Sequence, residues 1–129
     1  MPKTTDVQVA IAQMQALRSE ISETDAKDAR RGLPQKIYES LSAFANRRGG
    51  GLIILGLEDV TFRPVGGLNV AQLQADLASF VDQRMSYPLR LDFLLCDIDG
   101  TTVLAVAVPE CPQQNKPVYY KNRGLIGGS

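Results

Sequence analysis

The sequence predicts an α/β (α+β) domain of two layers, in which helices pack on a mixed β-sheet. Three segments repeat apolar residues at helical spacing, one short run is continuously apolar, and a hairpin signal joins two alternating apolar segments. The chain has 129 residues, of which 44% are hydrophobic and 22% are charged, and this is enough for one domain with its own core. We therefore expect a single domain over residues 1–129, made of a first helix and a core at residues 20–129.

The first part of the chain predicts a helix and then an edge strand. Apolar residues recur at helical spacing in residues 6–18, where Thr5 is the expected N-cap and Gln8 completes a capping box. The polar stretch that follows has little pattern, and we interpret it as an edge strand at residues 21–27.

A second helix and a central strand come next. Pro34 lies near the start of this helix, where its missing N–H costs nothing. We expect Arg47 and Arg48 in the last turn of the helix and Gly49 just past its end. The continuous apolar run at residues 52–57 predicts a buried central strand.

The second half of the chain predicts a third helix, a hairpin and a short last strand. The helix runs from an Asn69 cap to about Arg84. Asp99-Gly100 is a turn signal between two alternating apolar segments, which indicates a hairpin. In chain order, the three expected strands cover residues 89–98, 101–108 and 118–121.

Composition excludes several classes of function. Histidine is absent, so Ser-His-Asp and Cys-His catalysis and every zinc site built on imidazole are excluded. The two cysteines, Cys96 and Cys111, form no Cys-x-x-Cys pair and are interpreted as a core thiol and a loop thiol. The sequence has no apolar run near the ~20 residues of a transmembrane helix and no signal-peptide pattern. We expect a cytoplasmic protein without a membrane partner.

The net charge is zero, but the charges are unevenly distributed along the chain. Residues 27–48 carry six basic and two acidic side chains, and residues 116–129 carry three basic and no acidic ones. Residues 49–115 carry three basic and eight acidic side chains. This distribution predicts a basic face suited to phosphate, with ordinary solvated surface charge as the alternative interpretation.

The three consecutive glycines at residues 49–51 raise the question of a phosphate-binding loop. Such loops follow a strand and precede a helix, so that helix N–H groups point at the phosphate. Here a helix precedes the glycines and a strand follows them, and the carbonyl end of a helix repels phosphate. We therefore interpret the glycines as a turn between helix and strand.

The other end of the second helix is better suited to an anion. Lys27, Arg30 and Arg31 precede this helix, and we expect free N–H groups at Gly32 and Leu33. Formal charge and helix dipole would agree there. The alternative interpretation is a solvated, charged approach to a helix.

Six short motifs follow one another in an order typical of a known family. They are an acidic element with lysine, a helix ending in "AFAN", a glycine turn, a strand leading to aspartate, and a returning Val-Gly before a "PVYYK" segment. The order resembles the Schlafen-type Alba-like domain of bacterial transcriptional regulators and helicase-related proteins, over about residues 15–129. The matching positions are Glu20, Asp25 and Lys27, residues 43–46, residues 49–51, Gly56 and Asp59, Val65 and Gly66, and residues 117–129.

The resemblance implies an Alba-like fold and a nucleic-acid-binding module, with DNA or RNA as the partner. In this family the module usually stands at the N-terminus of a longer regulator. The chain ends at Gly128-Ser129, where the family's last strand would begin, so we expect a module excised from a longer protein. Contacts to backbone phosphates are expected from Lys27, Arg30, Arg31, Arg47, Arg48, Lys121 and Arg123.

The same resemblance implies an alternative, a metal-dependent endoribonuclease of the Schlafen type. By position, its three carboxylates would be Glu20, Asp25 and Asp59, with Glu58 as a substitute. They would hold Mg²⁺ or Mn²⁺, the cofactor expected only under this alternative. Asp25 is one methylene shorter than the Glu that the family usually has. The competing interpretation is that these residues are surface acids and a turn residue.

A third hypothesis is an interaction domain without a nucleic-acid role. The two apolar strands within residues 89–108 would pair across a two-fold axis and form a homodimer.

Overall fold

The computed structural model describes residues 3–121, and within them it forms one mixed sheet with helices packed on it. The predicted α/β class is confirmed. In chain order the elements are α1 (Thr4–Leu17), β1 (Thr24–Lys27), α2 (Ile37–Ala45), β2 (Gly51–Leu55), α3 (Val70–Arg84), β3 (Asp92–Ile98), β4 (Thr101–Val108) and a 3₁₀ turn, η1 (Gln113–Asn115).

The four strands lie in the order β1-β2-β4-β3. The first two are parallel, with Lys27 opposite Leu55, and α2 connects them. The other neighbours are antiparallel. Strands β1 and β2 therefore end at the same edge of the sheet, and α2 begins beside that edge. Strand β1 is an edge strand, as the sequence predicts.

Apolar side chains cover both faces of the sheet. On one face, α2 and α3 pack against alternate residues of β2 and β4 such as Ile53 and Leu104. On the other face, α1 packs against the intervening residues such as Ile54 and Ala105. The first helix thus adds a layer beyond the two that the sequence predicts, because β2 and β4 bury both of their faces.

Two positions of the glycine turn have no room for a side chain. Gly50 has a φ of 73°, and a Cβ at this position would collide with the Val108 carbonyl oxygen. A Cβ on Gly51 would collide with the ring of Phe44. Gly50 thus lies close to the Val108 backbone and Gly51 close to the Phe44 ring, where the chain passes from α2 to β2. This supports the interpretation of these glycines as a structural turn between helix and strand.

Helix α2 is shorter at both ends than the sequence predicts. It begins at Ile37, and it ends at Ala45, so Arg47 and Arg48 lie beyond it and not in its last turn. The Asn46 N–H still donates to the Ser42 carbonyl (3.1 Å), but the Arg47 N–H donates to the Phe44 carbonyl (3.1 Å), only three residues back, so the helical bonding pattern ends here. The turn that follows is closed by the Gly50 N–H, which donates to the Arg47 carbonyl (3.0 Å).

The predicted last strand at residues 118–121 is wrong. Only an isolated bridge forms there within the described part of the chain, between Tyr120 and Met85. The backbone of Val118 is bonded by the Asn46 side chain, and that of Tyr119 is bonded by Ser86. These bonds to Asn46 and Ser86 occupy the backbone groups that a strand ladder would use.

Helix α1 starts slightly earlier than predicted, with Lys3 in place of Thr5 as its N-cap. The carboxylate of Asp6 accepts the Lys3 backbone N–H at 2.8 Å. An acid at this position also suits the positive end of the helix dipole.

Two turn predictions are confirmed. The Asn69 side chain caps α3 by accepting the Gln72 N–H (3.2 Å). Asp99 and Gly100 connect β3 to β4 with φ values of 53° and 84°, as the hairpin signal requires. No helix within residues 3–121 combines the length and the apolar content needed to cross a bilayer.

Candidate functional site

The loop between β1 and α2, residues 28–36, lies where the two parallel strands end. The N–H groups of Gly56 and Leu57 donate to the Lys27 carbonyl at 2.7 and 3.2 Å, so the chain after β2 is joined to the end of β1. An open cleft of about 630 Å³ lies here, lined by residues 27–35 and Asp59. Ligands of open α/β sheets commonly bind outside the carboxyl ends of parallel strands.

The basic residues of this loop fall into two groups. The Arg30 guanidinium donates two hydrogen bonds, of 2.8 and 2.7 Å, to the Asp28 carboxylate. Hydrogen bonding from Arg30 lowers the pKa of Asp28. Lys27 is partly buried and pairs with Asp25 at 3.2 Å. In contrast, Arg31 and Lys36 are exposed and make no salt bridge with another residue of 3–121. These two cations are available to an anion.

The backbone donors predicted ahead of α2 are not both available. The Gly32 N–H donates to the Ala29 carbonyl at 3.2 Å. Helix α2 starts at Ile37, five residues beyond Gly32, with Lys36 at its N-cap position. The expected free N–H at Gly32 is therefore wrong, since the loop forms its own turn before the helix begins. Charge at this site comes from side chains.

The acidic motif is gathered into one cluster beside the loop. Glu20 accepts the Ala26 N–H at 2.8 Å, and Asp25 accepts the Ser40 hydroxyl from α2 and the Lys27 ammonium. Residues that the sequence places at 20, 25 and 27 are thus brought together at edge strand β1. We call Glu20, Asp25, Lys27 and Ser40 the acid cluster.

The two carboxylates of the acid cluster titrate together. Burial raises the pKa of Glu20, and its hydrogen bond with Asp25 adds to the increase. Burial alone would raise the pKa of Asp25, but hydrogen bonds from Glu20 and Ser40 and the charge of Lys27 outweigh it and lower the pKa. The environment therefore favours one proton held on Glu20 and a negative charge on Asp25.

The three carboxylates expected for a metal are not gathered as a set. Asp59 lines the cleft of the basic loop, whereas Glu20 and Asp25 face each other. Within residues 3–121, no group of three or more His, Cys, Asp or Glu side chains could hold a metal ion. The side chain of Glu58, the substitute, accepts the Thr61 hydroxyl at 2.5 Å. The arrangement as it stands does not fit a three-carboxylate metal centre.

The remaining predicted phosphate contacts are spread over the molecule. Arg47 donates to the Ser22 carbonyl at 2.6 Å and lies 3.8 Å from Glu23, so it is at the beginning of β1. Arg48 is exposed beside it. Both therefore lie at the opposite end of the parallel pair from Arg31. Arg123 lies outside the described residues.

Residues 118–121 lie beside α2 and the C-terminal end of α3, where the Lys121 N–H donates to the Arg84 carbonyl at 2.8 Å. Val118 is bonded to Asn46 past the end of α2, whereas the Tyr120 ring stacks on Tyr38 in its first turn, with ring centroids 4.6 Å apart. Lys121 is exposed. Lys121 follows Tyr120 directly, and the ring of Tyr120 stacks on Tyr38, two residues after Lys36. Lys36, which is not among the site residues expected from the sequence, occupies the N-cap position of α2.

The chain belongs to the family Schlafen, AlbA_2, which matches residues 17–127. It is similar to the N-terminal domain of a protein from Nitrosomonas europaea that is described as related to the ATP-dependent DNA helicase RecG. The two are 31% identical, with a TM-score of 0.79, over 100% of this chain and 87% of that one. The family resemblance drawn from the sequence is confirmed.

A more distant structural likeness supports the fold alone. The DIP2311 protein from Corynebacterium diphtheriae is 22% identical, with a TM-score of 0.54, over 88% of this chain and 23% of that chain. No curated protein matches this sequence.

Proposed function

We propose that the chain is a nucleic-acid-binding module that contacts backbone phosphates through its basic loop. The observation that carries the proposal is the pair of exposed cations, Arg31 and Lys36, without a salt bridge to any other residue of 3–121 and beside the ends of two parallel strands. Membership of the Schlafen, AlbA_2 family and the likeness to a helicase-related domain support the same conclusion.

Other cations extend this surface. Lys121 is exposed and follows Tyr120, whose ring stacks on Tyr38, two residues after Lys36. Arg30 is exposed in the same loop as Arg31, but its salt bridge with Asp28 leaves that pair without net charge. Lys27 is committed to the acid cluster, so we expect it to contribute less than Arg31. Contacts of this kind fix position on a strand but carry little sequence information.

Charge reversal with a matched control tests the proposal. Arg31→Glu and, separately, Lys36→Glu should weaken binding of a labelled oligonucleotide roughly tenfold or more, as expected when a phosphate contact becomes a repulsion. Arg90→Glu is the control, because Arg90 is also exposed and precedes β3 at the opposite end of the sheet. Equal weakening by all three variants, or none, would refute the proposed surface.

The finer proposal is that the module serves a bacterial transcriptional regulator, as the family resemblance implies. DNA that co-purifies with the full-length protein from cells should then be enriched in promoter regions over the genomic average. An even distribution along the genome would contradict the regulatory role without affecting phosphate binding.

A metal-dependent nuclease is the second candidate function. The observation in its favour is the hydrogen bond between the carboxyl groups of Glu20 and Asp25. The observation against it is that Asp59 lines the cleft of the basic loop and does not complete a three-carboxylate group with them within residues 3–121. Purified protein would be incubated with transfer RNA and single-stranded DNA, with Mn²⁺ or with EDTA. Cleavage that needs Mn²⁺ and is lost in Asp25→Asn supports the nuclease, whereas cleavage that persists in Asp25→Asn indicates contamination.

A further inference from the structure

Tyr119 is an exposed aromatic residue on a fixed backbone. It is 56% exposed, more than any other aromatic residue of 3–121. Its N–H donates to the Ser86 hydroxyl (2.9 Å), and its carbonyl accepts the Ser86 N–H (2.8 Å). Since the backbone is already held, a ligand that contacts this ring orders little of the chain when it binds.

Tyr119 forms one wall of an open cleft against α2, with a volume of about 560 Å³. Two further rings, Tyr38 and Tyr120, line the cleft and stack on each other at an interplanar angle of 23°. Phe80 of α3 stacks on Tyr120 at 5.5 Å. Helix α3 therefore packs against the Tyr120 ring of this cleft through Phe80. The remaining lining residues are Glu39, Ser42 and Ala43, of which the last two are small.

Positive charge adjoins this aromatic cleft. Lys36 lies two residues before Tyr38, and Lys121 follows Tyr120 directly. The Lys121 N–H donates to the Arg84 carbonyl (2.8 Å), which brings a third cation near. All three side chains are exposed, and none makes a salt bridge with another residue in the part of the chain that the structure describes. Stacking rings beside backbone-binding cations are typical of surfaces for single-stranded nucleic acid.

We propose that the cleft of Tyr38, Tyr119 and Tyr120 binds an unstacked nucleobase, and that the ligand of this module is therefore single-stranded. This inference rests on the proposed nucleic-acid function and adds the form of the ligand. In a duplex, neighbouring bases cover the faces of each base, so only an unpaired or extruded base reaches a protein ring. Lys36 and Lys121 hold the phosphates on either side of that base. The carboxylate of Glu39 accepts from an exocyclic amino group, as acidic side chains do with cytosine.

Tyr119→Ala and Tyr119→Phe separate stacking from other effects. Binding of a labelled single-stranded DNA, a single-stranded RNA and a duplex of the same sequence would be measured by fluorescence anisotropy. We expect Tyr119→Ala to weaken binding of at least one single strand roughly 5- to 150-fold, which is the usual loss for one stacked base. Binding of the duplex should be unchanged, and Tyr119→Phe should bind within about twofold of wild type because it keeps the ring.

Leu95→Ala is the matched control, since Leu95 is 53% exposed and lies on edge strand β3. It should leave all three affinities unchanged. Whether the DNA or the RNA strand shows the larger loss identifies which of the two the cleft prefers.

The following results would overturn the inference. The first is an equal loss of single-strand and duplex binding in Tyr119→Ala, and the second is a loss in Tyr119→Phe as large as that in Tyr119→Ala. The third is that Tyr119→Ala weakens binding of a proline-rich peptide but leaves the affinity for the oligonucleotides unchanged, since such peptides also dock in aromatic grooves. If wild type binds nucleic acid and Tyr119→Ala binds it equally well, this inference fails while the proposed function stands. If wild type binds none, both fail.

Discussion

The side-chain amide of Asn46 pairs with both backbone groups of Val118. Its Nδ2 donates to the Val118 carbonyl at 2.9 Å, and its Oδ1 accepts the Val118 N–H at 2.8 Å. The Ser42 hydroxyl donates to the same carbonyl at 2.7 Å. One side chain at the end of α2 thus holds the segment that carries Tyr119 and Lys121, which gives the last residue of the "AFAN" motif a structural role.

Replacement of this amide should loosen the segment. We expect Asn46→Ala to lower the free energy of unfolding by about 1–3 kcal/mol, because it leaves the Val118 N–H without its partner and the Val118 carbonyl with the Ser42 hydroxyl alone. Urea titration followed by circular dichroism measures the change. Asn115→Ala, in the exposed turn η1, is the control and should stay within about 0.5 kcal/mol of wild type. An equal effect of the two substitutions would refute the role given to Asn46.

Two glycines with similar positive φ values can be compared. Gly50 and Gly67 have φ values of 73° and 68°, but a Cβ would collide only at Gly50, where the Val108 carbonyl approaches. Gly67→Ala should cost about 1–2 kcal/mol of stability, the usual penalty of a left-handed residue. Gly50→Ala should cost more by at least about 1 kcal/mol, because the backbone must also move. Equal costs in thermal unfolding would show that the close approach is unimportant.

Stability should depend on pH through the acid cluster. Burial raises the pKa of Glu20 from 4.5, so between 4.5 and the raised value the folded state holds a proton that the unfolded state has released. The free energy of unfolding therefore falls as pH rises through this window. Glu20→Gln removes that titration, and its amide can still accept the Ala26 N–H and donate to Asp25.

The measurement is the unfolding free energy of wild type and Glu20→Gln from pH 4 to neutral pH. We expect the variant to gain on wild type as pH rises, whereas Glu39→Gln, on an exposed carboxylate of α2, should follow wild type. At acid pH the sign reverses for Asp25. Its pKa is lowered from 3.8, so the stability that its ionised form contributes is lost as pH falls through the lowered value. If the unfolding free energies of wild type and Glu20→Gln changed in parallel with pH, the raised pKa of Glu20 would be contradicted.

Two adjacent arginines should differ in their contribution to stability. Arg47 donates to the Ser22 carbonyl at 2.6 Å and ties α2 to the beginning of β1, whereas Arg48 is exposed and forms no salt bridge within residues 3–121. Arg47→Ala should lower the unfolding free energy by about 0.5–1.5 kcal/mol. Arg48→Ala should change it by less than about 0.5 kcal/mol. The reverse order in urea titration would refute the structural role of Arg47.

Local patterns predicted most of the fold. The Asn69 cap, the Asp99-Gly100 hairpin and the apolar strand run are signals carried by neighbouring residues, and all of them appear in the structure. The error at residues 118–121 concerns a segment that is held by contacts between Asn46 and Val118 across 72 positions. A single sequence contains no local signal for such contacts.

The candidate site was predictable in composition but not in arrangement. The acidic motif and Lys27 do meet, as their shared position in the family pattern suggests. The basic residues instead divide between the two ends of the parallel strand pair, because α2 places its start and its end on opposite sides of the domain. Charge counted along the chain cannot separate these ends. Nor can a count of charges show that Arg30 forms a salt bridge with Asp28, whereas Arg31 forms none within the described structure.

The salt dependence of binding tests the central claim most directly. The logarithm of the association constant would be measured against the logarithm of salt concentration for wild type and for Arg31→Gln with Lys36→Gln. Each phosphate contact adds about 0.7 to the slope on single strands and about 0.9 on duplex DNA. We predict that the double variant has a shallower slope by about 1.4 on a single strand, whereas Arg90→Gln keeps the slope of wild type. A wild-type affinity that does not change with salt, or an unchanged slope in the double variant, would contradict binding through the basic loop.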